Sequence, residues 1–169
     1  MQQKETINYG DFADTTQIPR TGRLLAIDPG TKRVGVAVCD PDRLVCRPLQ
    51  VLETSSWKKL LLAIKALLNE FDAKALVIGL PLESNGDESE MSLKARKMAA
   101  SFQLSLDVPI FLQDERVTSY EAKGRLWSSG TDTRSARNHV DSEAAALILG
   151  DFLDRIKAAG LETTSGQGS

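Results

Sequence analysis

The chain has 169 residues, 41% of them apolar and 26% charged, which suits one domain with a real hydrophobic core. No apolar stretch reaches membrane-spanning length, and the N-terminus lacks the basic-then-apolar pattern of a signal peptide. A formal net charge of −2 excludes a globally basic nucleic-acid binder, so contact with nucleic acid would need a local basic patch.

Residues 1–22 are polar and without apolar period, and are expected to be a disordered extension ahead of a domain over 23–159. Residues 24–27 form an apolar run typical of a strand buried on both faces. That run ends on Asp28, Pro29 and Gly30 turn the chain, and residues 34–38 give a second strand interrupted by Gly35. Residues 44–53 read as a third strand, at an edge because Pro48 cannot donate to a ladder. Short turns between the three imply an antiparallel meander.

Ser55 or Ser56 can cap a helix over 57–71, striped by Leu60, Leu61, Ile64, Leu67 and Leu68. Residues 75–78 then read as a buried parallel strand after a crossover, opening into a turn-rich loop over 79–86. A helix over 90–104, a strand over 110–113, a helix over 118–127 and a last helix over 140–158 complete the pattern. Residues 128–139, rich in Ser, Gly and Thr, are expected to be the most mobile internal segment, and 160–169 a disordered tail. The order βββαβαβαα implies an α/β fold, a mixed five-stranded sheet flanked by helices.

Three acid positions fall at element ends. Asp28 follows the first strand; it could serve chemistry, or cap the turn through its own backbone. Asp141 shares one face of the last helix with Ala144, Ala145, Ile148, Leu149 and Phe152, so it should lie over the sheet. Its ordinary explanation is an acid favoured by a helix N-terminus. Asp114 and Glu115 are adjacent on a strand, so one of the two can face the others. Two carboxylates at ~5 Å repel by about 3 kcal/mol at an effective dielectric of ~20, which demands a cation or a shared proton. Oxygen donors, with one histidine and no Cys-x-x-Cys pair from Cys39 and Cys46, favour Mg²⁺ or Mn²⁺ over zinc. Carboxylate-held metals support attack of water on a phosphodiester. Lys32, Arg33, Arg116, Arg134 and Arg137 recur beside these acids and suit a polyanionic substrate, although each could be an ordinary surface charge.

Four motifs in order carry a resemblance. Residues 28–37 (DPGTKRVGVA), Gly79-Leu80-Pro81 with Asn85-Gly86, Asp114-Glu115-Arg116, and Val140-Asp141-Ser142 followed by residues 144–149 resemble the YqgF/RuvX family over about 24–156. Those proteins are described as pre-16S rRNA nucleases and as Holliday-junction-resolvase-like. The resemblance implies an RNase H-like fold, maturation of the 5′ end of 16S rRNA, and catalytic, metal-holding acids at Asp28, Glu115 and Asp141. One departure is the run before the last motif, lysine-rich in the family, where this chain has Arg134, Arg137, Asn138 and His139; it bears on how strongly that segment grips nucleic acid.

The implied partner is precursor rRNA or another structured nucleic acid, met in the cytoplasm by a monomer or homodimer. Three other functions compete. A DNA junction resolvase would use the same chemistry from a dimer. A phosphotransferase would use the Asp-x-Gly-Thr turn as a phosphate loop, but would need a second domain to close over a nucleotide. A non-catalytic RNA-binding assembly factor would hold a structural ion with the same acids.

Overall fold

The computed structural model describes residues 17–116 and 134–160, the first six residues of the last helix by backbone only. In chain order the elements are β1 (Leu25–Pro29), β2 (Arg33–Cys39), β3 (Cys46–Glu53), α1 (Trp57–Glu70), β4 (Leu76–Leu80), α2 (Glu90–Ser105), β5 (Ile110–Asp114) and α3 (Arg134–Ala158). The strands form a 5-stranded sheet of order β3-β2-β1-β4-β5. β1, β2 and β3 are antiparallel neighbours, while β4 pairs parallel with both β1 and β5. This meander-plus-crossover arrangement is the mixed five-stranded sheet expected from the sequence.

Period-two alternation sorts the strand residues between two cores. Leu25, Ile27, Val34, Val36, Val38, Ile78 and Leu112 pack beneath α1 and α2 with Ile64, Leu67 and Phe102. Ala26, Cys39, Val77 and Phe111 pack beneath α3 with Ile148, Leu149 and Phe152. Each fully buried Leu, Ile or Phe contributes about 1.5–3 kcal/mol relative to exposure, so both helical layers are firmly attached. Among the described residues, no helix is long and apolar enough to cross a membrane.

Several boundaries differ from the expectation, each for a local reason. β1 runs on through Asp28 and Pro29, which pair with Gly35 and Val34, so the turn falls at Gly30–Lys32. β3 begins at Cys46 rather than at residue 44, because the Asp40 carboxylate accepts from the amides of Leu44 and Val45, both at 2.7 Å. Arg43 in that turn has φ +57° and is buried. Its guanidinium donates to the carbonyls of Gly22 and Pro19, fastening the chain ahead of β1. Pro48 lies on the outermost strand, beside a register shift between Val36 and Ala37. Ser56 is the residue that caps α1, accepting from the Lys59 amide. The last helix starts at Arg134, earlier than expected, because 134–139 holds no Gly or Pro and carries the strong helix formers Arg134, Ala136 and Arg137. The expected helix over 118–127 lies outside the described residues.

Candidate active site

The face of the sheet beneath α3 carries Asp28 and Glu115, with Asp141 on α3 itself. On β1, Ala26 faces α3, so Asp28 two positions on faces it too. Asp28 pairs across the ladder with Gly35. At Gly35 a Cβ would stand 1.9 Å from the Asp141 carbonyl oxygen, so the backbone of α3 rests directly on this glycine. That contact brings Asp141 over the end of β1. Asp141 lies about two turns into α3 rather than in its first turn. The helix macrodipole fades within one turn, so a helix-end explanation of this acid does not hold.

Asp28 and Asp141 line one cavity of about 360 Å³, together with Thr31, Lys32, Arg33 and Pro81. Arg33 Nε stands 3.5 Å from Asp141 Oδ2, both side chains partly exposed. The turn carrying Lys32 and Arg33 is fixed from β3: Thr54 donates its hydroxyl to the Thr31 carbonyl at 2.9 Å and its amide to the Lys32 carbonyl at 3.0 Å.

Glu115 and Asp114 part company. The Glu115 amide donates to the Leu80 carbonyl at 2.9 Å, continuing the parallel ladder one residue beyond β5. Its side chain is therefore on the α3 face with Phe111 and Gln113, and it is only 4% exposed. A Cβ at Gly79 would stand 3.5 Å from its Cγ. Asp114 points to the other face and pairs with Arg116, whose Nε lies 2.8 Å from Asp114 Oδ2. Arg116 also lies across Gly86 in the β4–α2 loop and does not line the cavity. Arg134 and Arg137 are in the first turns of α3.

Asp28 and Asp141 thus share a cavity, with Glu115 on the same sheet face beyond β4. Among the described residues, no group of three or more His, Cys, Asp or Glu side chains stands close enough to hold a metal ion. The donor set is nevertheless all oxygen and confined to one face, which suits a hard divalent cation.

The family model described as "RuvX: Holliday junction resolvase" matches residues 22–155, all five strands and most of α3. This chain belongs to the RuvX family. Among curated relatives, a "Putative pre-16S rRNA nuclease" of Rhodopirellula baltica is 36% identical over 142 residues, covering 84% of this chain and 82% of that one. One of the same name from an Anaeromyxobacter species is 38% identical, covering 78% of this chain and 96% of that one. Among solved structures, "T. thermophilus RuvC in complex with Holliday junction substrate" aligns over 80% of this chain and 96% of that one, at 16% identity and a TM-score of 0.49.

Sequence reasoning missed the residues that position the acids of this RuvX-family chain. Gly35 was visible only as a break in a valine-rich strand, and Gly79 only as the start of a loop. Thr54 gave no signal, because its partners lie more than twenty positions earlier in the chain.

Proposed function

We propose that this chain is a divalent-metal-dependent nuclease that hydrolyses phosphodiester bonds of precursor 16S rRNA, at the 5′ end, during ribosome biogenesis in the cytoplasm. The observation that carries this reading is the cavity shared by Asp28, Asp141, Lys32 and Arg33, with Glu115 buried on the same sheet face. Two acids and two cations around one opening suit a phosphate group better than a neutral substrate. Asp28, Glu115 and Asp141 would hold Mg²⁺ or Mn²⁺. A divalent ion held there supplies activation of the attacking water and neutralisation of the leaving oxygen.

The remaining chemistry belongs to the chain itself. Lys32 and Arg33 offset phosphate charge at the cavity mouth. Arg33 is shared between Asp141 and an incoming phosphate, so it orients the acid before substrate arrives. Arg116, Arg134 and Arg137 extend the phosphate track beyond the cavity, with Arg116 leaving part of its pairing with Asp114. The names of the relatives support rRNA as substrate. The family description supports a second reading, cleavage of a four-way DNA junction, which needs two such sites in a homodimer.

The test offers purified protein a precursor rRNA fragment and a four-way DNA junction, each with Mn²⁺ and with chelator, and maps the ends. Mn²⁺-dependent cuts in the RNA, absent for Asp28→Asn, are expected. Preferential junction cleavage selects the second reading. Cleavage in chelator, or by Asp28→Asn, overturns the carboxylate mechanism.

A further inference from the structure

Cys39 and Cys46 look unrelated in sequence, yet β2 and β3 set them directly opposite each other across an antiparallel ladder. The neighbouring pair, Asp40 and Val45, carries the ladder bond from the Asp40 amide to the Val45 carbonyl at 3.1 Å. Hydrogen-bonded and non-hydrogen-bonded pairs alternate along such a ladder, so Cys39–Cys46 is a non-hydrogen-bonded pair. In that arrangement Cα atoms stand about 4.5 Å apart and the side chains are at their closest. Disulfides span Cα separations of about 4.4–6.8 Å, so the strands already hold the required spacing. Both thiols are free and both side chains meet the core beneath α3.

We propose that Cys39 and Cys46 form an intramolecular cross-strand disulfide, a covalent clip on the β2–β3 hairpin made by exchange with a low-molecular-weight disulfide such as glutathione disulfide. Cys46 is the more exposed thiol and reacts first; Cys39 is 1% exposed. The Cys46 thiolate attacks one sulfur of the small disulfide, breaking its S–S bond and releasing one thiolate. The Cys39 thiolate then attacks the Cys46 sulfur of the mixed disulfide, forming the protein disulfide and releasing the second thiolate. The two protons given up by the cysteines are taken by the two released thiolates. The protein loses two electrons, and the small disulfide is reduced to two thiols.

Burial, then the facing Cys39 and the carboxylates of Asp40 and Asp154, push the Cys46 thiol up to about 12 against an opposing pull from Lys157. Burial likewise raises Cys39, against opposing pulls from the Leu24 amide hydrogen bond and the Arg43 charge. The thiolate is the attacking species, so the clip closes slowly at neutral pH and faster in alkali. It lies at the end of β2 away from Arg33, about 20 Å along the strand, so closure should leave the candidate active site in place.

The experiment treats the full chain with glutathione disulfide at alkaline pH and follows intact mass, non-reducing gel mobility and thermal melting. The expected product is a monomer lighter by two hydrogens, without a glutathione adduct. Trypsin should then yield the Val34–Arg43 and Leu44–Lys58 peptides joined through Cys39 and Cys46, and dithiothreitol should separate them. The clipped protein should melt above the reduced one at an unchanged cleavage rate. Cys39→Ser should retain a single glutathione on Cys46, because nothing remains to displace it. Two glutathione adducts on wild type, a disulfide-linked dimer, an unchanged mass, or a clipped form that melts lower would each overturn the proposal. The wild-type mass and peptide map decide it even if the serine variant folds poorly.

Discussion

A single methyl group at Gly35 tests whether α3 holds Asp141 in its working position. In Gly35→Ala the new Cβ would fall 1.9 Å from the Asp141 carbonyl oxygen and 2.8 Å from the Ser142 amide nitrogen. Both are backbone atoms, so no rotamer change relieves the clash. Ordinary contact requires α3 to lift from β2 by about 1.5 Å. Overpacking of this kind costs about 1–3 kcal/mol, roughly 2–12 °C of melting temperature for a chain of this size. Asp28 stays on β1 while Asp141 moves, and misplacing a reacting group by about 1 Å can cost about 10²-fold in rate.

Gly150 supplies the control that separates stability from positioning. It lies in α3 with nothing within 4 Å of a Cβ added there, so Gly150→Ala should stabilise by about 0.5–1 kcal/mol through helix propensity alone. The double variant should therefore recover part of the melting temperature and none of the rate. The assay is a thermal melt beside Mn²⁺-dependent cleavage of precursor RNA, run well below both melting points. Wild-type melting and rate in Gly35→Ala would show that α3 does not rest on this glycine. Recovery of rate along with stability in the double variant would show that the loss was only unfolded protein.

Strand alternation separates the two acids of the Asp114-Glu115 pair, so Glu115→Gln should cut cleavage far more than Asp114→Asn, as single-turnover rates would show; equal losses would refute the geometry. Asp28→Asn should melt in chelator at or above wild type, since a negative charge leaves an acid-rich face, and should lose most of the Mn²⁺-dependent rise that a folded-state ligand confers. Hydrogen bonds from the Val45 and Leu44 amides hold the Asp40 carboxyl below its usual range, so its stabilisation is complete above about pH 3.9 and disappears as pH falls through the lowered value. Asp40→Ala should therefore lose about 1 kcal/mol near neutrality and show a flatter acid limb in pH-dependent melts.

The sheet was legible because its signals are local. Val34, Val36 and Val38 alternate with small residues, and the stripe through Leu60, Ile64 and Leu67 has helical period. The start of α3 was obscured because Ser, Gly and Thr ahead of residue 134 disguised the helix formers that follow. That Asp141 belongs over the sheet could be read from the shared face with Ala145 and Ile148. That it sits beside Asp28 could not, because the register of α3 against β2 depends on a backbone contact at Gly35. The cysteine pair was hidden for a related reason: Cys-x-x-Cys spacing is a chain-local signal, whereas opposition across a ladder appears only once Asp40 has fixed the turn. Arg116 drew attention both as a phosphate contact and as a local ion partner of the neighbouring acids, and the structure pairs it with Asp114.

The spacing of strands explains why the three acid positions are filled as they are. β1, β4 and β5 run parallel, so their carboxyl ends open on one side of the sheet, the usual place for a site in parallel architecture. Neighbouring strands lie about 4.8 Å apart and Glu115 stands two residues beyond Gln113, the residue in register with Gly79, so its backbone is roughly 12 Å from that of Asp28 across β4. An aspartate on β5 would be short by a methylene, whereas a glutamate can lean inward. The intervening strand leaves room beside it: at Gly79 a Cβ would meet Ile148 Cδ1 at 2.5 Å and stand in ordinary contact with the Glu115 Cγ at 3.5 Å. Glutamate on the far strand and aspartate on the near one suit the proposed metal-holding site. Arg33 completes it from the opposite side, tethering Asp141 where an uncompensated pair of acids would otherwise drift apart.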